Sequence, residues 1–289
     1  CYTIFSDMGG PPYSVGRSNR GRPLNPALGV QWALSTGTFS LTAPTVGWSG
    51  IIATSNDRVV HAMQRGLAGG EWPGPWLPIR LSGPGPVQSR PPIVPITVNT
   101  SSPVVYLGSQ DGTVYVVDAD RGGALPGFPR APAPLGGSPG QAAPAGIFTA
   151  FGGAYDYLLV GTRDPGADNH FFAFDPELNP INPPFNTGGG ANGIGMINGM
   201  ASVDYTNRRV YFTSYEKQPV GSTDTLWCLN LQAGPPATTY RWSRPLGDID
   251  SSPVLMGDRV YVVAPLPAPA LYSIEADMGL APDRTFPIP

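Results

Sequence analysis

The apolar positions of this chain fall in short runs of β-branched and aromatic residues, each broken by a turn. The clearest case is the stretch 104–122, VVYLGSQDGTVYVVDADRG. Val104, Val105, Tyr106 and Leu107 read as one strand, Gln110, Asp111 and Gly112 as the turn, and 114–117 as the returning strand, with 118–123 closing it. Asp-Gly between such runs is a strong hairpin signal, because the turn needs positive φ. The pattern recurs: 51–54 leads to 58–63, 157–162 to 170–175, 209–214 to 225–229, and 259–263 to 271–274.

Each hairpin follows a strand of small residues: Ala43-Pro44-Thr45-Val46, Pro92-Ile93-Val94, Ala145-Gly146-Ile147, Gly199-Met200-Ala201 and Ser252-Pro253-Val254. A fourth, aromatic strand comes after it: Trp76-Leu77-Pro78-Ile79, Gly127-Phe128-Pro129, Pro184-Phe185 and Tyr240-Arg241-Trp242. The repeats start roughly every 50 residues, the length of a propeller blade. The expected fold is therefore all-β, a β-propeller of four-stranded antiparallel blades with about five blades visible. Small side chains suit the crowded central axis, and proline is tolerated in outer strands because these are edges. Residues 283–289, DRTFPIP, read as an outer strand that would precede a sixth hairpin. Residues 1–28 lack periodicity and read as an irregular lead-in, with the repeats running over 29–289 and Trp32 buried in a first strand at 29–34.

Composition sharpens this picture. Only 13% of the 289 residues are charged, while Gly (38) and Pro (36) are heavily used. No window of ordinary helix length escapes Gly or Pro, so long helices are not expected. No apolar run reaches the roughly 18 residues of a membrane span. Net charge is −3 with no basic stripe, which argues against a nucleic-acid partner. Lys217 is the only lysine, which removes most Schiff-base chemistry.

The residues that carry a family resemblance are GTVYVVDADRGG at 112–123, LPGFPR at 125–130 and SSPVLMGDRVYVV at 251–263. They resemble blades of the quinoprotein-like (pyrroloquinoline-quinone-like repeat) β-propeller superfamily. The aromatic cluster, Gly-Arg-Ser and Pro of the lead-in resemble the segment that precedes such propellers. The superfamily includes quinone-dependent dehydrogenases, outer-membrane assembly lipoproteins and secreted scaffolds, and usually has seven or eight blades. An open propeller exposes a strand edge, so a truncated chain or closure by another polypeptide is expected. Cys1 resembles the lipid-bearing cysteine of a bacterial lipoprotein, which would tether the chain without spanning the membrane. The alternative is that Cys1 simply marks where the sequence starts. Cys228, within LWCLN, reads as a small core residue, and a Cys1–Cys228 disulfide has no positive support.

The superfamily's enzymes imply a tryptophan platform, often a vicinal disulfide, and a calcium site. This chain has no adjacent cysteines and no evident cluster of Asp, Glu and Asn. Asp111, Asp118 and Asp120 lack the alternating oxygen-ligand loop of a calcium site, and Asp164, Asp168 and Asn169 form only a loose group. Turn chemistry accounts for both. His61 and His170 alternate with apolar neighbours and supply no zinc set. No CxxCH motif occurs, and no G-x-S-x-G motif falls on a strand-to-helix turn. The glycine runs at 188–190 and 193–199 lead into a strand, not a helix, so they read as connections between blades and not as phosphate loops. Asn99-Thr100-Ser101 matches a glycosylation sequon. No catalytic residue, cofactor or metal is expected.

The remaining candidates are geometric. Loops leading into the blades gather on one face of a propeller, around the channel mouth. Here they carry Gln88, Arg90, Gln141, Asn192, Asn198, Asp248 and Asp250, a candidate recognition rim. Trp72, in EWPGPW at 71–76, is a candidate aromatic contact for a sugar or a partner. Trp76 reads as packing between blades. The leading expectation is a non-enzymatic protein-interaction scaffold, periplasmic, cell-surface or extracellular, within a larger assembly of other proteins. A degenerate quinone-dependent oxidoreductase and a carbohydrate- or peptide-binding module stand as alternatives.

Overall fold

The computed structural model describes residues 45–46, 50–54, 59–64, 79–80, 93–94, 104–108, 114–118, 139–147, 156–164, 169–175, 178–181, 183–187, 193–215, 224–264, 269–279 and 284–287. All secondary structure among them is β, in five antiparallel sheets. The chain divides into two compact units, Cys1–Ala131 and Pro132–Pro289. The expected lead-in at 1–28 and first strand at 29–34 lie outside the described residues.

The first unit holds two sheets. Sheet one runs β1 (Thr45–Val46), β2 (Gly50–Thr54), β3 (Val59–Gln64), β4 (Ile79–Arg80), each strand paired to the next. Sheet two runs β5 (Ile93–Val94), β6 (Val104–Gly108), β7 (Val114–Asp118). The β6–β7 register sets Val104 opposite Asp118 and Gly108 opposite Val114, as expected for the hairpin at 104–122. Tyr106, Leu107 and the whole run Val114-Tyr115-Val116-Val117 are buried. Burial of consecutive residues means that both sheet faces are covered, which is why this strand is a continuous apolar run and not an alternating one.

The second unit holds three sheets. Sheet three has β8 (Pro139–Ile147), β9 (Asp156–Thr162) and β10 (Phe171–Phe174). Sheet four has β11 (Ser202–Asp204), β12 (Arg209–Thr213), β13 (Leu226–Leu231) and β14 (Thr238–Arg244). Sheet five has β15 (Val254–Met256), β16 (Arg259–Ala264), β17 (Ala270–Glu275) and β18 (Arg284–Pro287). The DRTFPIP stretch thus supplies the outer strand of sheet five.

Two expected strands differ in detail. Pro184-Phe185 does not form an outer strand; Phe185 exchanges a pair of backbone hydrogen bonds with Phe171 (3.0 and 2.9 Å) in an isolated bridge. Pro180, Pro183 and Pro184 lack the N–H groups that a ladder requires. Gly199-Met200-Ala201 leads into β11 without belonging to it. There the Met200 amide donates across to Ser252 Oγ (2.8 Å), and Ser202 Oγ donates to the Pro253 carbonyl (2.6 Å).

The sheets of this unit join through two apolar layers. Between sheets three and four lie Tyr157, Leu159, Phe171, Ala173, Val210, Phe212, Trp227 and Leu229. Between sheets four and five lie Tyr211, Leu226, Cys228, Trp242, Val260, Val262 and Ile274. Each joint carries a tyrosine hydroxyl that donates to the first carbonyl after the third strand of the next sheet. Tyr157 Oη reaches the Gln232 carbonyl (2.7 Å), and Tyr211 Oη the Ala276 carbonyl (3.0 Å). The second joint adds Trp242 Nε1 to the same Ala276 carbonyl (3.3 Å) and an ion pair from Arg209 to Asp277 (2.6 Å), which Arg241 also contacts. Gly279 lies against the Trp242 ring with φ +56, where a Cβ would sit 2.2 Å from the indole. Glycine meets both the backbone sign and the contact.

Cys228 is a buried free thiol in this second joint. Burial pushes it up to about 12, against the weaker pull of Arg209 and Arg241. Burial likewise raises the Tyr211 phenol. Both groups hold their protons more tightly folded than unfolded, so stability is fully present below the unfolded thiol range and is lost as pH rises through it. The urea midpoint is expected to fall between about pH 7.5 and about pH 10.5, with a smaller fall in Cys228→Ala. Equal midpoints at the two pH values in the parent would show that neither group titrates with folding.

Candidate functional site

The loop ends of the second unit bring together three of the seven expected rim residues. Asn198 lies in the segment 193–200 that leads into sheet four, and Asp248 and Asp250 in the segment that leads into sheet five. Ile249 between the two aspartates is wholly buried in the joint of sheets four and five. That anchor fixes the alternation. Asp248 is half-buried and Asp250 is exposed.

Tyr215, just beyond β12, joins them. Its pKa is raised, first by burial and then by Asp250 and Asp248, with Arg163 opposing. The rim therefore presents two carboxylates, a half-buried phenol and a guanidinium within electrostatic range of one another. Tyr215 was not among the expected residues; the Ser-Tyr after a strand carries no signal of its own.

The segment 193–200 is not a slack connection. The Ile197 amide donates to the Thr162 carbonyl (2.9 Å), the Asn169 amide to the Ile194 carbonyl (3.0 Å), and the Tyr215 amide to the Met196 carbonyl (2.9 Å). It laces sheet three to sheet four directly beneath the rim. Asn169 is fully buried and accepts from Thr162 Oγ1 (2.9 Å) and from the Asp164 amide (2.7 Å). The Asp164/Asn169 group is thus a turn clamp, as turn chemistry implied. Asn198 Oδ1 is a buried oxygen with no hydrogen-bond partner.

Gln88, Arg90, Asn192, Trp72 and Cys1 lie outside the described residues, and of Gln141 only the backbone, in β8, is described. His170 sits beside Asn186, with Nε2 2.7 Å from the amide nitrogen. Among the described residues no three His, Cys, Asp or Glu side chains gather as a metal-binding group.

No protein-family model matches the chain, and no curated protein matches it. Solved structures do resemble it. The crystal structure of BamB from Moraxella catarrhalis superposes with a TM-score of 0.54 at 16% identity, covering 82% of this chain and 61% of that one. A europium-containing methanol dehydrogenase gives 0.57 at 14% identity, covering 89% and 53%. A chain from an active polycomb repressive complex 2 in the basal state gives 0.50 at 14% identity, covering 83% and 47%. The chain spans 61%, 53% and 47% of the length of these three structures. At such identities the likeness is one of fold, an all-β propeller, whose described antiparallel sheets here have three or four strands.

Proposed function

We propose that the chain is a non-enzymatic propeller of a bacterial envelope that binds a protein partner through its loop rim, as a subunit of a larger assembly. The observation that carries this is the pairing of Asp248 and Asp250 around the buried Ile249, with Tyr215 within electrostatic range of both. Carboxylates and a phenol on a rigid scaffold suit a basic segment of a partner, and a tyrosine adds contact area at low entropic cost. The fold likeness to BamB supports a propeller of this class. Envelope location, with or without a lipid on Cys1, follows from the superfamily resemblance.

The test is affinity purification of the tagged protein from its natural host. A stoichiometric partner is expected with the parent and is expected to be lost in the double variant Asp248→Arg/Asp250→Arg, whose side chains are not core. Retention of the partner by the double variant would remove the rim from the reading. The fold likeness to methanol dehydrogenase keeps a second reading, a degenerate quinone-dependent oxidoreductase. Dye-linked oxidation of alcohols or sugars after adding pyrroloquinoline quinone and calcium would establish it and displace the first. A carbohydrate-binding role for Trp72 would show as glycan quenching of tryptophan fluorescence that Trp72→Ala abolishes.

A further inference from the structure

Strand β14 carries a β-bulge. Tyr240 stands opposite Leu229 and Trp242 opposite Cys228, so Arg241 is the extra residue. On a regular strand, side chains three apart point to opposite faces. The bulge puts Tyr240 and Ser243 on one face instead. Tyr240 lies opposite Leu229 and Ser243 opposite Trp227, and both of those partners belong to the joint with sheet three. Bulges re-aim side chains in this way. Here the re-aimed group is a tyrosine that stays 56% exposed. Among the described residues sheet three has only three strands, and the Pro184-Phe185 bridge lies along its outer edge. The Phe185 ring runs parallel to that of Tyr240 (6.4 Å, 11°) and meets the buried Trp227 edge-on (6.0 Å, 65°). Tyr240 and Phe185 thus form a flat aromatic shelf resting on the core.

The polar edge of this shelf is ordered. Ser243 is buried, and its Oγ donates to Asp224 Oδ2 (2.5 Å). A serine has one hydroxyl hydrogen, so in the second contact, at 3.1 Å, the Tyr240 hydroxyl is the donor and Ser243 Oγ the acceptor. Both hydroxyl hydrogens are thereby committed within the chain. What the shelf offers a ligand is acceptors only: the Tyr240 oxygen, the half-buried Asp224 carboxylate and the π face of the ring. The two arginines of β14 bond elsewhere, Arg241 to Asp277 and Arg244 Nη1 to the Ser243 carbonyl (2.8 Å).

A sugar hydroxyl is both donor and acceptor and is best met by a mixed set. An acceptor-only edge beside an aromatic face suits a cation. The flatness of the shelf selects among cations. A guanidinium stacks on a ring while its N–H edge meets a carboxylate, whereas an ammonium acts only as a point charge. We propose that Tyr240 and Asp224 bind the guanidinium of an arginine side chain presented by a protein partner, with its plane on the Tyr240–Phe185 shelf and its N–H groups toward Asp224. That the arginine belongs to a protein rests on the function proposed above. The guanidinium site does not, since it uses none of Asp248, Asp250 and Tyr215.

The experiment is an NMR titration of the full chain carrying ring-labelled tyrosine. The probes are the capped tripeptide acetyl-Gly-Arg-Gly amide, its lysine and citrulline counterparts, free arginine and a panel of methyl glycosides. The Tyr240 signal is the one absent from Tyr240→Ala. The arginine tripeptide is expected to shift it saturably. The lysine tripeptide is expected to bind several-fold more weakly, and the neutral citrulline tripeptide not at all. Saturation transfer to the peptide reads affinity in the variants. Asp224→Asn, which can still accept from Ser243, is expected to weaken binding by on the order of tenfold. Tyr240→Ala, at an exposed position, is expected to weaken it by about two- to fivefold. An unmoved Tyr240 signal, undiminished affinity in Asp224→Asn, or equal binding of the citrulline tripeptide overturns the proposal. Preference for a glycoside or for free arginine overturns it too, by making the shelf a small-molecule site. Loss of the rim's partner in Asp248→Arg/Asp250→Arg with unchanged tripeptide binding would leave both readings standing.

Discussion

Phe212→Ala is expected to lower the thermal midpoint of the second unit by on the order of 10 °C. Phe212 is wholly buried between sheets three and four. Its ring stacks on Phe171 at 4.3 Å and 7°, and on Trp227 at 6.0 Å and 7°, while Phe185 meets it edge-on at 6.4 Å. Truncation to alanine removes the middle layer of this stack. Burying a phenylalanine and then deleting it costs about 3–5 kcal/mol, part transfer and part cavity. For a unit of this size each kcal/mol moves the midpoint by roughly 2–4 °C. Phe212→Leu keeps most of the volume and is expected to cost less than half as much. The measurement is a calorimetric scan of the three proteins. A shift within about 2 °C for the alanine variant would mean that the two sheets do not depend on the stack.

That joint shows what was legible in the sequence and what was not. The hairpins were legible because local chemistry dictates them. In 209–213 and 225–229 the β-branched and aromatic residues write the strands directly, and the observed register pairs them residue for residue. The joints were not legible. Phe171, Phe212 and Trp227 are each apolar residues in apolar strands, and nothing local says which face meets which. Sequence reasoning placed Cys228 in the core correctly, yet gave no hint that Tyr211 and Arg209 beside it engage the next turn.

The rim was half legible. Asp248-Ile249-Asp250 is a polar-apolar-polar alternation, and the alternation predicts two outward carboxylates about a buried anchor. Tyr215 came from the far side of β12 and needed the fold. The outer strand at Pro184-Phe185 failed for a plainer reason. The aromatic-proline pattern that marks an edge strand also removes the donors that would pair it, and here the prolines prevailed.

Gly195→Ala is expected to have the largest effect on the rim, abolishing partner capture while leaving most of the sheet structure in place. A Cβ on Gly195 would lie 2.0 Å from the Tyr215 carbonyl oxygen and 2.8 Å from its carbon. These are backbone atoms, so no rotamer change relieves the contact. One of the two strands of chain must move. Segment 194–197 is tied on its other side to Thr162 of sheet three and to Asn169 in the connection before β10. Tyr215 is tied through its amide to the Met196 carbonyl, which is next to the substitution itself. The displacement is expected to fall on Tyr215 and to carry its hydroxyl away from Asp250. Overpacking of this kind costs about 1–3 kcal/mol, small beside the Phe212 deletion. The expected result is a midpoint lowered by about 2–12 °C, at roughly 2–4 °C per kcal/mol, together with loss of the partner that the parent captures. The Tyr215 phenol, now raised first by burial and then by Asp250 and Asp248, would then titrate nearer the ordinary tyrosine range. Ultraviolet difference titration follows that group. Gly195→Ala with full partner capture and an unshifted phenol would show that sheet three can give way instead, and that Tyr215 is not held by the segment beneath it.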